Sequence, residues 1–259
     1  MDEIQEHLII GNGKRTLVFI HYFGGDAGSW KWLAKRLGKK FTCVLLNLPG
    51  FGGTQPLKEP SIFGFAAYIN KKIESLSIGN YILCGHSMGA KLALYAAKLN
   101  VANPPERIVL IAPSPPTVED MSEEERSRML EHPDAEEAIA TVAKVTNRKM
   151  TDKRKSYAVQ SQLRIDNKTW QWWLKEGMDD DISERITGLQ IPTCVIFSNR
   201  DPVISPDTVF KEVMPYLEMP SVVALSKSGH LVPMEAPRKL SRRIKKFIRA
   251  KPLVANTQG

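Results

Sequence analysis

A serine between two glycines is the first feature of this chain that suggests chemistry. Residues 82–99 read ILCGHSMGAKLALYAAKL, and the stretch GHSMG at residues 85–89 fits the pattern G-x-S-x-G. An apolar run typical of a buried strand precedes Ser87, and a helix-like run follows it. A turn this sharp strains the serine backbone and requires small residues two positions away on each side. We therefore predict that Ser87 is a nucleophile at the carboxyl end of a strand.

A serine hydroxyl needs a base within hydrogen-bond reach before it can attack a substrate. His230, in SKSGHLVPMEAP, follows the last predicted strand, where a loop can return over the top of the sheet to Ser87. The other histidines have settings that argue against this role. His7 lies in an exposed-looking start, and His132 lies in a helical insertion. His21 ends a strand, where we expect structural hydrogen bonds, and His86 is next to Ser87 on the strand and should face away. His230 is therefore the predicted base.

The base in turn needs an acid that orients it. Asp201, in SNRDPVISP, follows the predicted strand at residues 193–198 and should lie at its carboxyl end. Ser114 follows the preceding strand, with no carboxylate nearby in its APSPP segment. Three acids of the insertion lack a strand-end position, namely Asp134, Asp152 and Asp166. We predict Asp201 as the orienting acid, and a simple turn-capping aspartate is the alternative.

An acyl transfer at Ser87 would also need backbone donors for the oxyanion. The N–H of Met88, directly after the nucleophile, is one candidate. The second is the N–H of Phe23 in the loop HYFGGDAGSW, where Gly24 and Gly25 let the backbone turn back toward the serine. We expect Phe23 and Met88 to form the oxyanion hole.

Apolar strand-like runs and helix-like runs alternate along much of the chain, which predicts an α/β fold with a mostly parallel central sheet flanked by helices. Residues 8–10, followed by Gly11-Asn12-Gly13, predict a hairpin into the next strand and hence one antiparallel edge strand. The predicted strands are residues 16–23, 41–48, 81–85, 107–112, 193–198 and 222–226. The predicted helices are residues 29–37, 62–76, 88–99, 206–217 and 237–250.

Residues 114–188 interrupt this alternation. They are polar, charged and helix-prone, and their most apolar part is TWQWWL at residues 169–174. A structureless loop of this length is improbable in a compact domain. We predict a helical cap at residues 114–188, inserted into a core domain made of residues 1–113 and 189–259.

Composition limits the other functions. The 259 residues carry a formal charge of +8 and three cysteines, Cys43, Cys84 and Cys194, each in an apolar run, so we expect reduced, buried thiols. No run reaches the ~18 residues of a membrane span, and the acidic start is unlike a secretory signal. We expect a cytoplasmic protein with no cofactor, no metal, no membrane contact and no bound nucleic acid. The basic residues 238–251 have apolar residues at helical spacing, which favours an amphipathic helix with a solvated face; nucleic-acid binding is the alternative.

Five motifs in order resemble the α/β-hydrolase superfamily, in its capped serine esterase-like branch. They are HYFGG (residues 21–25), NLPGFGGT (47–54), GHSMG (85–89), SNRDPVISP (198–206) and GHLVPMEAP (229–237). The resemblance implies the same roles for Ser87, His230 and Asp201. It implies a structural duty for Glu235 and Pro237, which help to place the histidine loop and to start the last helix. The chain departs from the family pattern at Tyr22, where glycine is usual, and at Asn47, where aspartate is usual and where we expect hydrogen bonds within the loop.

The predicted function is hydrolysis of a small or medium apolar carboxylic ester through an acyl-enzyme. A few side chains near the catalytic positions are expected to line the pocket: Tyr22, Trp30, Trp173, Val203 and Leu231. Lys91, one turn into the nucleophile helix, is expected on the surface. Carbon–carbon bond hydrolysis, lactone opening and peracid formation use the same residues in similar proteins, and a ligand-binding receptor on this fold is an alternative of another class.

Overall fold

A seven-stranded sheet forms the centre of the protein in a computed structural model that describes residues 5–250. The strand order is β1-β3-β2-β4-β5-β6-β7, and every neighbouring pair is parallel except β1 with β3. The strands are β1 (His7–Ile10), β2 (Arg15–Ile20), β3 (Phe41–Leu46), β4 (Tyr81–His86), β5 (Arg107–Ile111), β6 (Thr193–Ser198) and β7 (Ser221–Leu225). The predicted α/β fold is confirmed.

The described residues form helices that connect the strands or follow the last of them. They are α1 (Lys31–Leu37), α2 (Ile62–Ser75), α3 (Met88–Leu99), α4 (Glu123–Met129), α5 (Ala135–Val145), α6 (Asp152–Leu163), α7 (Asn167–Trp172), α8 (Pro206–Thr208), α9 (Val232–Glu235) and α10 (Pro237–Arg249). Because side chains alternate along a strand, Val18 and Ile20 pack in one core with α2 and α3. Leu17 and Phe19 pack in the other core with α1 and α10.

The predicted hairpin between β1 and β2 is wrong, although β1 is an antiparallel edge strand. It pairs with β3, with Ile9 opposite Val44. Both edges of β2 are already occupied by parallel partners, β3 and β4. A strand that reaches the sheet here can pair only with the free edge of β3. Gly11 lies in the connection from β1 to β2 and has a φ of +88°. A Cβ at this position would lie 2.4 Å from the carbonyl oxygen of Gly38.

The predicted helix at residues 206–217 is interrupted. Only α8 is α-helical, and it is followed by a π turn at Val209–Val213 and a 3-10 turn at Met214–Tyr216. Pro215 lacks an N–H and cannot continue an α-helix, which accounts for the change. The bounds of β6 and α3 match the prediction residue for residue.

Residues 114–188, called the helical segment below, connect β5 to β6 and contain α4 to α7. Trp170, Trp172 and Trp173 of this segment pack into the same core as α2 and α3. The Tyr157 hydroxyl donates to Asp26 (2.6 Å), and the Ser161 hydroxyl donates to the carbonyl oxygen of Gly24 (3.0 Å). The segment is thus bonded to the loop after β2, and its status as a separate cap domain stays a prediction.

The last helix is amphipathic, as the sequence predicts. Leu240, Ile244 and Phe247 are buried, whereas Arg242 and Arg243 are exposed. Between residues 5 and 250 the structure contains no helix with the length and hydropathy that a bilayer crossing requires.

Candidate active site

The chain makes its sharpest turn at Ser87, between β4 and α3. The residue has a φ of 53° and a ψ of −123°, a region that non-glycine residues rarely adopt. A Cβ at Gly85 would lie 2.4 Å from the carbonyl oxygen of Gly89, and a Cβ at Gly89 would lie 2.4 Å from that of His21. The strain and the need for small neighbours are thus as predicted. The turn ends at the first residue of α3, where helix N–H groups have no intrahelical acceptor.

Two backbone N–H groups are available near this turn. Within residues 5–250, neither Phe23 nor Met88 donates a backbone hydrogen bond outside the regular elements. The loop of Phe23 turns back because the N–H of Gly25 donates to the carbonyl oxygen of Tyr22 (3.1 Å). Their role as an oxyanion hole stays a prediction, and their freedom to donate is compatible with it.

His230 and Asp201 form a buried pair. The His230 Nδ1 lies 2.9 Å from one carboxylate oxygen of Asp201 and 3.2 Å from the other. Asp201 also accepts hydrogen bonds from the N–H groups of Val203 (2.9 Å) and Ile204 (3.1 Å). Asp201 therefore caps its own turn and holds the imidazole at the same time, so the turn-capping alternative and the predicted partnership both describe its contacts.

The electrostatics of this pair favour an ionised carboxylate beside an imidazole. Burial lowers the pKa of His230, but the charge and hydrogen bond of Asp201 outweigh it, so the pKa lies above its usual value. Burial likewise raises the pKa of Asp201, but the charge and hydrogen bond of His230 outweigh it, and the pKa lies below its usual value. A histidine held in this way presents its Nε2 as the basic atom.

The loop that carries His230 is held from two sides. The N–H of Gly229 donates to Glu235 (2.9 Å), and Nε2 of His86 donates to the carbonyl oxygen of His230 (2.8 Å). The contacts of Glu235 agree with the structural duty that the family resemblance implies. His21 makes interior hydrogen bonds, as expected for it, and His86, which was expected to face away from Ser87, also has an interior partner.

Ser87 and His230 line one cavity of about 80 Å³. In the conformation observed, the Ser87 hydroxyl oxygen lies 3.5 Å from the hydroxyl oxygen of Ser114. The hydroxyl neighbour of Ser87 thus lies on the loop that follows β5, and the imidazole of His230 lines the same cavity. Pockets for drug-sized ligands measure roughly 300–1,000 Å³, so this cavity suits a small group.

The cavity is apolar over most of its wall. Four predicted pocket residues line it: Tyr22, Trp173, Val203 and Leu231. Other apolar side chains around it, which the sequence did not single out, are Phe23, Met121, Met129, Val142, Val145 and Trp170. The polar side chains of the wall include Glu119, Glu125, Thr141 and Gln162, and Gly24 also lines the cavity.

Trp30 does not line this cavity, so its assignment to the pocket is wrong. Its side chain is buried in the core on the opposite face of the sheet. There it packs against Phe19 at 4.9 Å between ring centroids and against His86 at 5.9 Å. Trp30 ends the turn that leads into α1, and that helix packs on the α10 side.

The surface position expected for Lys91 is also wrong. Its side chain is fully buried, and Nζ donates to the carbonyl oxygens of Thr117 (3.0 Å) and Met178 (3.3 Å). Burial lowers its pKa to about 8, against the opposing influence of Glu119. The helical segment covers this side of α3, and that covering was not visible from the helix pattern alone.

A carboxylate missed by the sequence reasoning lies beside Ser114. Glu119 is 7 % exposed and lines the cavity. Burial raises its pKa, and a hydrogen bond from Ser114 and the charge of Lys91 oppose that rise. Five positions separate Ser114 from Glu119 in a segment with several acids, and no local pattern distinguishes the acid that turns inward.

Asn47 makes the loop hydrogen bonds expected of it. Its side-chain oxygen accepts from the N–H of Ala27 (2.7 Å), and its side-chain nitrogen donates to the carbonyl oxygen of Gln5 (2.6 Å). No group of three or more His, Cys, Asp or Glu side chains within the described part of the chain is placed to hold a metal ion.

Comparison with known proteins identifies the family. Residues 15–256 match the model of the alpha/beta hydrolase fold. The chain therefore belongs to the α/β-hydrolase family.

Two curated relatives match parts of this chain. An acetyltransferase component of the acetoin cleaving system of Cupriavidus necator is 32% identical over 39% of this chain and 26% of its own length. A karrikin insensitive 2 receptor of Petunia hybrida is 28% identical over 47% of this chain and 46% of its own. The matched region thus spans between about a quarter and a half of these two relatives.

Solved structures share the fold over nearly the whole chain. An esterase of Thermogutta terrifontis has a TM-score of 0.78 at 20% identity, covering 94% of this chain and 92% of its own. An enol-lactonase of Burkholderia xenovorans has a TM-score of 0.79 at 17% identity, covering 94% and 96%. At these identities the likeness establishes the architecture, and the chemistry must be argued from the residues.

Proposed function

We propose that this protein is a serine hydrolase that cleaves small carboxylic esters through an acyl-enzyme at Ser87. The observation that carries the proposal is that His230, joined to Asp201 in a buried pair at 2.9 Å, lines the same cavity as a serine on a strained turn. Strain at a non-glycine residue costs free energy and persists where the surroundings impose it, which is typical of functional positions.

The mechanism follows from the positions of these groups. The Ser87 hydroxyl turns from Ser114 toward Nε2 of His230, which accepts its proton as the oxygen attacks the ester carbonyl. The N–H groups of Met88 and Phe23 donate to the oxyanion. His230 then protonates the leaving alcohol, the acyl-enzyme forms, and a water activated by His230 releases the acid.

The cavity favours a small substrate. Its volume of about 80 Å³ and its wall of Phe23, Trp170 and Trp173 suit a short apolar group. Esterases and an enol-lactonase are among the proteins that share this fold. We therefore expect acetate and butyrate esters to be better substrates than long-chain esters.

The test is the Ser87→Ala variant with p-nitrophenyl acetate and p-nitrophenyl butyrate. We expect kcat to fall by about 10⁴-fold or more, because the nucleophile is lost while binding is retained. Ser127→Ala, at an exposed position of α4, is the matched control and should keep full activity. Undiminished turnover by Ser87→Ala would refute the proposal.

A fluorophosphonate probe separates the enzyme from a receptor with the same residues. The probe should label the native protein and leave Ser87→Ala unlabelled, because it reacts with an activated serine. Native protein that resists labelling would favour the ligand-binding alternative. Assays with lactone, dienone and peroxide substrates then compare ester hydrolysis with the related chemistries.

A further inference from the structure

We propose that Glu119 forms a subsite in the cavity of Ser87 that binds a neutral hydroxyl group of the substrate, close to the bond that is cleaved. The inference rests on the proposed esterase function and specifies the class of substrate: short hydroxy esters. It concerns one side chain that the hydrolytic steps do not use.

The first support is an unpaired atom. Glu119 is 7 % exposed, and its Oε2 has no hydrogen-bond partner within residues 5–250. Its backbone is held in place, because its N–H donates to the carbonyl oxygen of Met178 (2.9 Å). A buried polar atom without a partner lowers the stability of the folded state, because its hydrogen bond to water is lost and not replaced. Oε2 itself is closed to solvent, so a ligand hydroxyl in the cavity would recover that loss once the carboxyl group turns this oxygen toward it.

The second support is the location of the carboxyl group. Glu119 lines the same cavity as Ser87 and His230. Ser114 is a neighbour of the nucleophile, since its hydroxyl oxygen lies 3.5 Å from that of Ser87, and it also opposes the rise in the pKa of Glu119. The carboxyl group and the nucleophile thus line the same cavity of about 80 Å³. A hydroxyl bound there would be only a few bonds from the scissile carbonyl.

The charge of Lys91 favours a neutral hydrogen-bond donor over a cation as the ligand group that Glu119 binds. Its positive charge acts on Glu119 from the interior, where Nζ is held by the carbonyl oxygens of Thr117 and Met178. The described residues of the cavity wall do not include Lys91. Lys91 thus already places one positive charge on the interior side of Glu119, and what the Oε2 of Glu119 lacks is a hydrogen-bond donor. A hydroxyl supplies one without adding a second positive charge.

The apolar remainder of the cavity wall explains why such a subsite would discriminate strongly between substrates with and without the hydroxyl group. Met121, Met129 and Trp173 line the same cavity as Glu119 with apolar surface. A site that hydrogen-bonds a substrate hydroxyl discriminates against an analogue without it, because the buried group is then left unpaired. An equally sized methyl group in place of the hydroxyl would leave Oε2 in that state.

The test compares esters that differ by a hydroxyl and a methyl group. Ethyl 3-hydroxybutyrate and ethyl 3-methylbutyrate place the difference on the acyl side, and 2-hydroxyethyl butyrate and propyl butyrate place it on the alcohol side. We expect kcat/KM to favour the hydroxy ester by about tenfold or more in one of the pairs, the equivalent of one hydrogen bond. The pair that responds identifies the side of the substrate that Glu119 contacts.

Variants assign the preference to the side chain. Glu119→Leu should remove it and favour the methyl analogue, whereas Glu119→Gln should keep part of it because the amide oxygen still accepts. Glu131→Leu, at an exposed position of the helical segment, is the control and should keep the native ratio. A ratio near one in both pairs would overturn the proposal. So would faster hydrolysis of ethyl 3-aminobutyrate than of ethyl 3-hydroxybutyrate.

A binding measurement keeps the inference separate from the proposed function. Trp170 and Trp173 line the cavity, so ligands there should change the intrinsic fluorescence. In Ser87→Ala, one of two amide pairs should show binding at least about tenfold tighter for the hydroxyl compound. The acyl-side pair is 3-hydroxybutyramide and 3-methylbutyramide, and the alcohol-side pair is N-(2-hydroxyethyl)butyramide and N-propylbutyramide. Failure of all esters and of fluorophosphonate labelling would refute the hydrolase. Equal binding within both pairs of amides would refute the subsite, whatever the outcome with esters and even if Glu119 variants fold poorly.

Discussion

The N–H of His230 donates to the carbonyl oxygen of Val145 at 2.8 Å. Val145 is the last residue of α5, so the loop that presents the imidazole is bonded to the helical segment. Glu235 strengthens this connection, because its Oε2 accepts from the N–H groups of Gly229 (2.9 Å), Asn147 (3.1 Å) and Arg148 (2.7 Å). The position of the proposed base therefore depends on contacts that lie between two distant parts of the chain.

Replacement of Glu235 tests this dependence. Glu235→Ala removes the acceptor of three backbone N–H groups, and we expect a loss of about 2–4 kcal/mol in the free energy of unfolding. Glu235→Gln should cost less. Both variants should lower kcat more than they raise KM, because His230 is positioned less well.

Urea unfolding and steady-state kinetics measure these effects, and the rate of fluorophosphonate labelling reports on the serine directly. Glu218→Ala, at an exposed position, is the matched control. If labelling of Glu235→Ala is as fast as that of the native protein, Glu235 has only a structural role.

The pH profile tests the pair of His230 and Asp201. The pKa of His230 is raised by Asp201 above its usual value, and a general base works only when it is unprotonated. We expect kcat/KM to rise with pH through a pKa above the usual value of about 6.5 for histidine. Asp201→Asn should lower kcat by about 10⁴-fold and move the acid limb of the residual activity to lower pH. An acid limb that stays in place in Asp201→Asn would contradict the pairing.

Two buried histidines predict a loss of stability in acid. Burial lowers the pKa of His21 to about 4 and that of His86 to about 3, against about 6.5 in the unfolded chain. The unfolded state thus binds more protons below pH ~6.5, so the stabilisation is fully present above that pH and is lost as pH falls toward the folded values. Thermal unfolding across this range should show a falling midpoint.

Substitution of each histidine tests whether the two side chains cause the fall in the unfolding midpoint with pH. His21 has a donor and an acceptor partner as a neutral ring, since Nδ1 lies 2.9 Å from the carbonyl oxygen of Tyr22 and Nε2 accepts from the N–H of Leu48 (3.2 Å). His21→Gln and His86→Gln should each reduce the pH dependence even if they lower stability at neutral pH. An unchanged slope in both would show that other groups cause the acid sensitivity.

The nucleophile turn should not tolerate a methyl group at Gly89. A Cβ there would lie 2.4 Å from the carbonyl oxygen of His21 and 2.5 Å from that of Ile20. Strand and helix would have to move apart, so we expect Gly89→Ala to destabilise the protein by several kcal/mol, on the order of other overpacked sites, and to abolish activity. Gly79→Ala, where a Cβ meets nothing within 4 Å, is the control. A stable, active Gly89→Ala would contradict the close approach.

The candidate site was largely readable from the sequence because its parts are local patterns at strand ends. A strand followed by G-x-S-x-G and a helix requires the strained turn at Ser87, whatever surrounds it. Asp201 and His230 follow the last two strands of a parallel sheet, and the carboxyl ends of parallel strands meet at one edge. The order of these elements along the chain therefore brings the three residues to the same edge.

The tertiary structure alone decided which side chains are enclosed and by what. Alternation along a strand separates two faces but does not say which helices cover each face, so the place of Trp30 on the α1 side was open. Lys91 and Glu119 carry charges that local patterns assign to the surface. The helical segment lies over α3 and buries both, and that covering depends on contacts between residues far apart in the chain. Burial is a property of the whole packed molecule. The partner of a charged side chain, or of an edge strand such as β1, therefore depends on which edges and faces the rest of the chain leaves free.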